Sequence, residues 1–288
     1  MRKIKSLHLE PTDVCQAACP MCRRETDLDF NKSLKHHLTI TQIKKHFDDR
    51  AISKLDKMFM CGNLGDPAAG KYTLDIYREF RRINPDIVLG MNTNGAIQNT
   101  FWWNELGGML NRLRDFCVFS IDGLADTNST YRVGVNWDRL MANAEAFISA
   151  GGRAHWDMLV YRHNQHQVDA CQQLAKDMGF KWFRAKVTNR GFNEGLQPPT
   201  EWQMPTVSWQ GKIKCLTLQE KEAYIDAQGR ASVCGWMSLK EGNFINDIDK
   251  LRVTWKTDSP HPVCSRNCTV VKNQTNWESQ YKREVEFE

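Results

Sequence analysis

The sequence predicts an α/β fold, a partial (β/α)6 TIM-like barrel followed by a smaller region of different character. Two observations favour this fold. Six apolar, strand-like runs alternate with amphipathic helix patterns as far as about residue 190, and the chemically distinctive residues follow the strand runs. Such an alternation is typical of a parallel sheet with right-handed crossovers. Because it stops after the sixth strand, a partial barrel fits better than a closed barrel of eight strands.

The strands are predicted from short apolar runs bounded by polar or turn-forming residues. These runs cover residues 6–10, 57–61, 87–92, 116–121, 154–160 and 182–187. Between them, apolar residues recur at helical spacing: Ile40, Ile43 and Phe47; Leu74, Tyr77 and Phe80; Trp102, Leu106 and Leu110; Leu140, Ala144 and Phe147; Val168, Cys171 and Leu174. The last two helix patterns run into glycines, which commonly end helices.

Beyond about residue 191, prolines, tryptophans and short polar runs replace the regular alternation. The sequence therefore predicts a barrel domain over residues 1–191 and a smaller domain over residues 192–288.

Composition describes a water-soluble protein. The chain has 288 residues, a formal net charge of +5 and a mean hydropathy of −0.57. The N-terminus lacks the apolar segment of a secretory signal, which predicts a cytoplasmic location and no membrane contact. In that reducing compartment, ten cysteines indicate metal ligands rather than disulfides. The basic residues Arg78, Arg81 and Arg82 lie on an amphipathic helix pattern, which favours a solvated face over a nucleic-acid-binding surface.

Cys15, Cys19 and Cys22 stand at C-x3-C-x2-C spacing directly after the first strand. Three thiolates can hold three irons of a [4Fe-4S] cluster and leave the fourth iron open to a small molecule, whereas a closed structural site takes four protein ligands. The spacing alone leaves two alternatives, a zinc knuckle and three unrelated thiols.

The cysteine spacing resembles that of the radical S-adenosylmethionine superfamily, and the resemblance covers essentially the whole chain. It implies that the open iron binds S-adenosylmethionine, which is cleaved to methionine and a 5′-deoxyadenosyl radical that takes a hydrogen atom from the substrate. One departure is Met21, where the family usually has an aromatic residue; methionine is flexible enough to pack on an adenine face.

Further resemblances follow the successive strands, where the family contacts S-adenosylmethionine. Isolated Asn-Gly or Asp-Gly pairs are ordinary turn formers, but here they occur at successive strand ends. Gly65 and Asp66 match the family's G-E-P element with Asp in place of Glu. The ends of the third and fourth strands carry Ser, Thr and Asn side chains, which offer both hydrogen-bond donors and acceptors and therefore suit this cofactor. The resemblance implies cofactor-binding roles for Met21, Gly65, Asp66, Thr93, Asn94, Ser120, Asp122, Arg132, Arg162 and Val187.

Four later cysteines, Cys215, Cys234, Cys264 and Cys268, form a second set. The first two flank a hairpin pattern with a turn from Asp226 to Gly229, which resembles the opening of the SPASM and Twitch extensions of the same superfamily. Four cysteines suit a Twitch domain with one auxiliary [4Fe-4S] cluster. The alternative is a zinc ribbon, because zinc and iron both accept four thiolates.

The resemblance implies a dehydrogenase-like radical S-adenosylmethionine oxidoreductase with an auxiliary cluster that assists oxidation or binds substrate. An electron donor such as flavodoxin or ferredoxin is then expected as a partner. The substrate is a small molecule or a peptide; no recognisable peptide-recognition domain precedes the barrel, which slightly favours a small molecule. Two alternatives stay open, a peptide cross-linking enzyme and a non-catalytic iron-sulfur or zinc protein.

Overall fold

The structure is a computed structural model that describes residues 4–26, 33, 35–188, 192–200, 212–237, 253, 260–271, 274–275 and 281–287. Its strands are β1 (Ser6–Leu9), β2 (Lys57–Met60), β3 (Val88–Thr93), β4 (Phe116–Ser120), β5 (Ala154–Leu159), β6 (Trp182–Lys186), β7 (Glu222–Ile225), β8 (Ala231–Ser232), β9 (Val270–Val271), β10 (Gln274–Thr275) and β11 (Tyr281–Glu286). Its α-helices are α1 (Arg23–Thr26), α2 (Ile40–Lys44), α3 (Asp49–Ile52), α4 (Thr73–Ile83), α5 (Thr100–Met109), α6 (Asn128–Tyr131), α7 (Trp137–Ser149), α8 (Val168–Asp177), α9 (Leu216–Gln219) and α10 (Pro262–Cys268).

Strands β1 to β6 form a parallel sheet in chain order, as the sequence predicts. The mixed α/β architecture confirms the predicted fold class. Strands from the C-terminal third extend this sheet, which the alternation did not predict. β7 pairs in parallel with β1 and carries β8 beyond it, whereas β11 pairs antiparallel with β6 at the opposite edge. The division into two domains stays a prediction.

Several of the helices begin at residues whose side chains cap them. Thr39 and Gln42 form a capping box at α2, and Asn99 and Asn136 cap α5 and α7. Of the helix pattern predicted over residues 40–47, α2 covers residues 40–44. A second short helix, α3, follows it, and the Asp48 side chain caps α3 by accepting a hydrogen bond from the Ala51 amide. Within the described residues, no helix is both long and apolar enough to cross a lipid bilayer.

The two faces of the sheet have different surroundings. On the face that meets the helices, Phe119 lies 5.7 Å from Phe147 of α7 and 5.2 Å from Trp103 of α5, between ring centroids. Side chains alternate along a strand, so the residues next in sequence to those that face the helices lie on the opposite, concave face of the sheet. There His155 stacks between Phe116 and Trp182, at 6.0 and 5.9 Å. The helix-side face is thus an apolar core, and polar residues are concentrated on the concave face.

From the surroundings of His155 on this concave face, we expect the folded protein to lose stability in acid. Burial and the nearby Arg153 and Arg184 lower the pKa of His155 from 6.5 to about 4, against the opposing effect of Asp157. The folded protein therefore resists protonation there, so stability present above pH 6.5 should decline as the pH falls from 6.5 towards 4, by about 1–3 kcal/mol.

The measurement is the free energy of unfolding between pH 4 and 7. The variant His155→Phe keeps a ring between Phe116 and Trp182 and should flatten this part of the profile. Replacing the exposed His166 with Phe is the control, which should leave the slope in place. An unchanged slope in His155→Phe would contradict the prediction.

Candidate active site

The early cysteines occupy the loop between β1 and α1. The Cys22 amide donates to the Cys19 carbonyl at 2.9 Å, and the Ala17 amide donates to the Cys15 sulfur at 3.4 Å. Burial raises the pKa of the Cys15 thiol to about 12, with contributions from Asp66, Cys19 and Cys22. Among the residues that the structure describes, no three His, Cys, Asp or Glu side chains surround a single metal-ion position. The three thiols are neighbours that do not converge on one point.

Asp66 fixes the glycine turn that follows β2. Its buried carboxylate accepts hydrogen bonds from the Ala68 amide at 2.9 Å, the Thr93 hydroxyl at 2.8 Å and the Asn94 amide at 2.7 Å. The Asp66 amide donates to the Val14 carbonyl at 2.9 Å. Asp66 and Thr93 thus meet, as their strand-end positions predict, and Asp66 joins the cysteine loop to the end of β3.

Asn94 connects this turn to the first cysteine. Its side-chain nitrogen lies 3.6 Å from the Cys15 sulfur and 3.3 Å from the Gln16 side-chain oxygen. In return, the Gln16 side-chain nitrogen donates to Asn94 Oδ1 at 2.7 Å. The sequence analysis missed Gln16; its position next to a cysteine ligand candidate is the signal that was available.

Asp122 and Arg132 form a buried ion pair beside Cys19. Arg132 Nε donates to Asp122 Oδ2 at 2.7 Å, and the Leu159 amide donates to Asp122 Oδ1 at 2.6 Å. Arg132 Nη1 lies 3.9 Å from the Cys19 sulfur. Burial raises the pKa of Asp122, although Arg132 and the Leu159 amide oppose that effect. The end of β4 and the segment after α6 therefore place the Arg132 guanidinium beside Cys19, the second cysteine.

The other predicted cofactor contacts occupy varied surroundings. Ser120 is half-buried at the end of β4, Val187 is buried just after β6, and Met21 is half-buried with its sulfur 3.9 Å from Asn193 Nδ2. Arg162 is exposed. The structure thus places Arg162 at the surface, and its predicted role stays untested. Asn189 and Arg190, which follow the predicted sixth strand in the sequence, lie outside the described residues.

An ion-paired group that the sequence analysis missed lies on the concave face of β5 and β6. Arg184 binds the buried Asp157 carboxylate through two nitrogens, at 2.9 and 2.6 Å, and Lys186 Nζ contacts it at 2.8 Å. Burial alone would raise the pKa of Asp157, but Lys186 and Arg184 outweigh it and lower the pKa to about 2. Lys186, at the end of β6, is thus paired with Asp157.

The four late cysteines also lie near one another. The hairpin of β7 and β8 has the predicted turn, with Gly229 at a φ of 80°. The Lys214 amide donates to the Cys268 carbonyl at 2.9 Å, which joins the segment before Cys215 to the end of α10. Burial raises the pKa of Cys268 to about 12, with further contributions from Cys215, Cys234 and Cys264. These four residues form the tail cysteine site.

The residues of the first cysteine site have the chemistry that the predicted cluster needs, although among the described residues no three such side chains surround one metal-ion position. Three thiols lie together near the carboxyl ends of parallel strands, and the donors Asn94 and Arg132 lie beside two of their sulfurs. Hydrogen bonds from such donors stabilise thiolates and tune a cluster that they hold. Cys15, Cys19 and Cys22 are therefore suited to bind three irons of a cluster.

No protein-family model matches this sequence, and no curated protein matches it. Solved structures do share its fold. Streptococcus suis SuiB bound to S-adenosylmethionine has 13% identity and a TM-score of 0.57, covering 81% of this chain and 60% of SuiB. SuiB bound to precursor peptide SuiA has 11% identity and a TM-score of 0.58, with the same coverage. Native anSMEcpe with bound AdoMet and Cp18Cys peptide has 14% identity and a TM-score of 0.57, covering 82% of this chain and 75% of that one.

The chain therefore shares the mixed α/β fold of these solved structures, with a mostly parallel sheet. It covers less than two thirds of the SuiB chain.

Proposed function

We propose that this chain is a radical S-adenosylmethionine enzyme in which Cys15, Cys19 and Cys22 hold the catalytic [4Fe-4S] cluster. The observation that carries the proposal is the cysteine loop itself. On a fold shared with such enzymes, three neighbouring thiols lie beside the donors Asn94 and Arg132. When bound, the cluster would supply the electron that cleaves S-adenosylmethionine.

The residues around this loop have distinct roles in the proposal. Asn94 and Arg132 donate to the sulfurs of Cys15 and Cys19, and Asp122 holds the Arg132 guanidinium in place. Asp66 acts indirectly, since its carboxylate is occupied by three donors and fixes the backbone of the turn. The half-buried backbone of that turn, Ser120 and Met21 are then left to contact the cofactor.

We further propose that residues 192–288 form a Twitch-type domain in which the tail cysteine site holds an auxiliary [4Fe-4S] cluster. Support comes from packing: Cys215 and Cys234 contact the same small apolar cluster as Val263, the neighbour of Cys264, and the Lys214 amide beside Cys215 donates to the Cys268 carbonyl. Four thiolates complete the coordination of such a cluster. A cluster there would serve as an electron acceptor in a dehydrogenase-like oxidation or as a substrate ligand.

A peptide is the second candidate for the substrate class, beside a small molecule. SuiB is recorded with its precursor peptide SuiA, and anSMEcpe with the Cp18Cys peptide. Both share the fold of this chain, which favours a peptide here, including one that is cross-linked.

The test is reductive cleavage of S-adenosylmethionine. Anaerobically reconstituted protein with dithionite should form 5′-deoxyadenosine and contain about eight irons per chain, as two [4Fe-4S] clusters require. Cys15→Ala should reduce the product below detection, because one of the three cluster ligands is lost. Cys171→Ala is the control, since Cys171 is buried in the core within α8, and it should retain product formation.

Absence of product from the wild-type protein would refute the proposed function. A metal content of about four irons and one zinc per chain would instead show that the tail cysteine site holds zinc and not an auxiliary cluster.

A further inference from the structure

Three buried or half-buried polar side chains join the barrel to the hairpin that carries Cys234. They are Glu10 after β1, Asn63 after β2 and Tyr224 in β7, and together they are called the hairpin junction. Parallel pairing of β1 with β7 places Glu10 and Tyr224 on adjacent strands. None of the three is a ligand candidate.

Glu10 is the centre of the hairpin junction. It is 2% exposed, and its Oε1 accepts hydrogen bonds from the Leu64 amide at 2.6 Å and the Gly65 amide at 3.2 Å. The Tyr224 hydroxyl donates to Oε2. One carboxylate thus holds the turn after β2 on one side and the hairpin on the other. A buried carboxylate without these donors is unfavourable, so the contacts are interdependent.

Asn63 brings the same turn to the tail cysteine site. Its side-chain nitrogen donates to the Gly235 carbonyl at 2.6 Å and to the Tyr224 hydroxyl oxygen at 3.2 Å. Gly235 follows Cys234 directly. A Cβ added at Gly235 would lie 3.0 Å from His8 Nδ1 and 3.1 Å from Tyr224 Cδ2. The peptide beside Cys234 is therefore packed tightly against the hairpin junction.

The contacts continue from the turn to the first cysteine. Asp66 follows Gly65, accepts a hydrogen bond from the Asn94 amide and donates from its own amide to the Val14 carbonyl. Asn94 in turn contacts the Cys15 sulfur. A continuous path of hydrogen bonds and short chain segments therefore runs from Gly235, beside Cys234, to Cys15.

We propose that Glu10, Asn63 and Tyr224 are positioning residues that couple the tail cysteine site to the turn formed by residues 61–66. Metal bound at the tail site orders the hairpin. The hairpin then holds the turn directly through Asn63 and indirectly through Glu10, which binds the Leu64 and Gly65 amides, so that the turn keeps its cofactor-binding conformation. The part that concerns S-adenosylmethionine rests on the proposed function. The part that concerns the turn does not.

The test is a double-mutant cycle with Cys268→Ala and Tyr224→Phe on reconstituted protein. Cys268→Ala disrupts the tail site from α10, which is remote in sequence from the junction, and Tyr224→Phe removes one hydroxyl. The first readout is amide hydrogen exchange in a peptide covering residues 61–66, which includes the two amides bound by Glu10. The second readout is the Kd of S-adenosylmethionine from equilibrium dialysis.

In the wild-type background, Cys268→Ala should speed exchange in this peptide and raise the Kd, each at least fivefold, at the lower end of coupling between sites. In the Tyr224→Phe background, the same change should have less than a twofold effect. Tyr77→Phe is the matched control, because Tyr77 also donates a buried hydroxyl hydrogen bond, to the Gly90 carbonyl. It should preserve the full response to Cys268→Ala.

Equal effects of Cys268→Ala on exchange in the wild-type and Tyr224→Phe backgrounds would overturn the inference, even if the protein cleaves S-adenosylmethionine. Coupled exchange in a protein that does not bind S-adenosylmethionine would support the positioning link and refute the proposed function.

If Cys268→Ala does not fold, a Cys15→Ala background allows iron loading of the tail site to be compared with and without Tyr224→Phe. Iron should then slow exchange in residues 61–66 only where Tyr224 is retained. Slowing in both proteins would overturn the inference.

Discussion

Replacing Gly65 with alanine should lower the affinity for S-adenosylmethionine at least 100-fold, about 2.7 kcal/mol. An added Cβ would lie 2.0 Å from the Thr12 carbonyl oxygen and 2.6 Å from the Thr12 carbonyl carbon. Both atoms belong to the backbone of the cysteine loop, so no side-chain rotation relieves the overlap. The turn would have to leave the loop and lose the hydrogen bonds of Leu64 and Gly65 to Glu10.

Equilibrium dialysis of the reconstituted Gly65→Ala protein measures this loss. The matched control is Gly108→Ala, within α5, where an added Cβ would have no neighbour within 4 Å. Alanine is favoured over glycine in a helix by about 1 kcal/mol, so this control should be at least as stable as the wild type. Similar affinities for the two alanine variants would show that contact between turn and cysteine loop is not required.

Replacing Asp122 with asparagine should cause the largest loss of stability, because it removes the fully buried carboxylate that pairs with the half-buried Arg132 guanidinium. Breaking a buried ion pair by removing one partner costs about 3–5 kcal/mol. For a chain of 288 residues that corresponds to a decrease in Tm of roughly 5–8 °C. Thermal unfolding of reconstituted protein measures it, and iron content should also decline, since Arg132 is the donor beside Cys19.

Asp86→Asn provides the comparison for Asp122→Asn. The Asp86 side chain is fully exposed and its closest cation is Arg112 at 3.9 Å. An exposed pair of this kind contributes about 0–1 kcal/mol, so Tm should change little. If Asp122→Asn were equally mild, Arg132 would not depend on Asp122 for its position.

Local sequence patterns predicted the six barrel strands and most of the helices between them. Apolar periodicity is a short-range signal, and the helix-side residues such as Phe119 and Trp156 are fully buried as that signal requires. Cys117, within the predicted fourth strand, and Cys171, within the last predicted helix pattern, are both fully buried as well. Strand-end placement also brought Asp66 and Thr93 together, because the carboxyl ends of parallel strands share one edge of the barrel.

Contacts between residues distant in the chain were not predictable in this way. The pairing of β11 with β6 and of β7 with β1 depends on complementary edges rather than on local periodicity. For the same reason, Glu10 was seen only as the end of a strand, although its partner Tyr224 lies 214 residues away. Asp157 sits in an apolar run that gave no indication of Arg184 and Lys186 beside it.

Two strands from the C-terminal part of the sequence, β7 and β11, cover the two edges of the barrel sheet, at β1 and β6. Until β7 and β11 have been synthesised, the unpaired backbone groups of β1 and β6 are open templates for pairing with another nascent chain. Shortened forms that end before residue 281 should accordingly be prone to aggregation. In the folded protein, β11 is the edge strand on this side of the sheet. Its sequence is rich in charged residues, Lys282, Arg283, Glu284 and Glu286, which makes this edge a poor template for the addition of another strand.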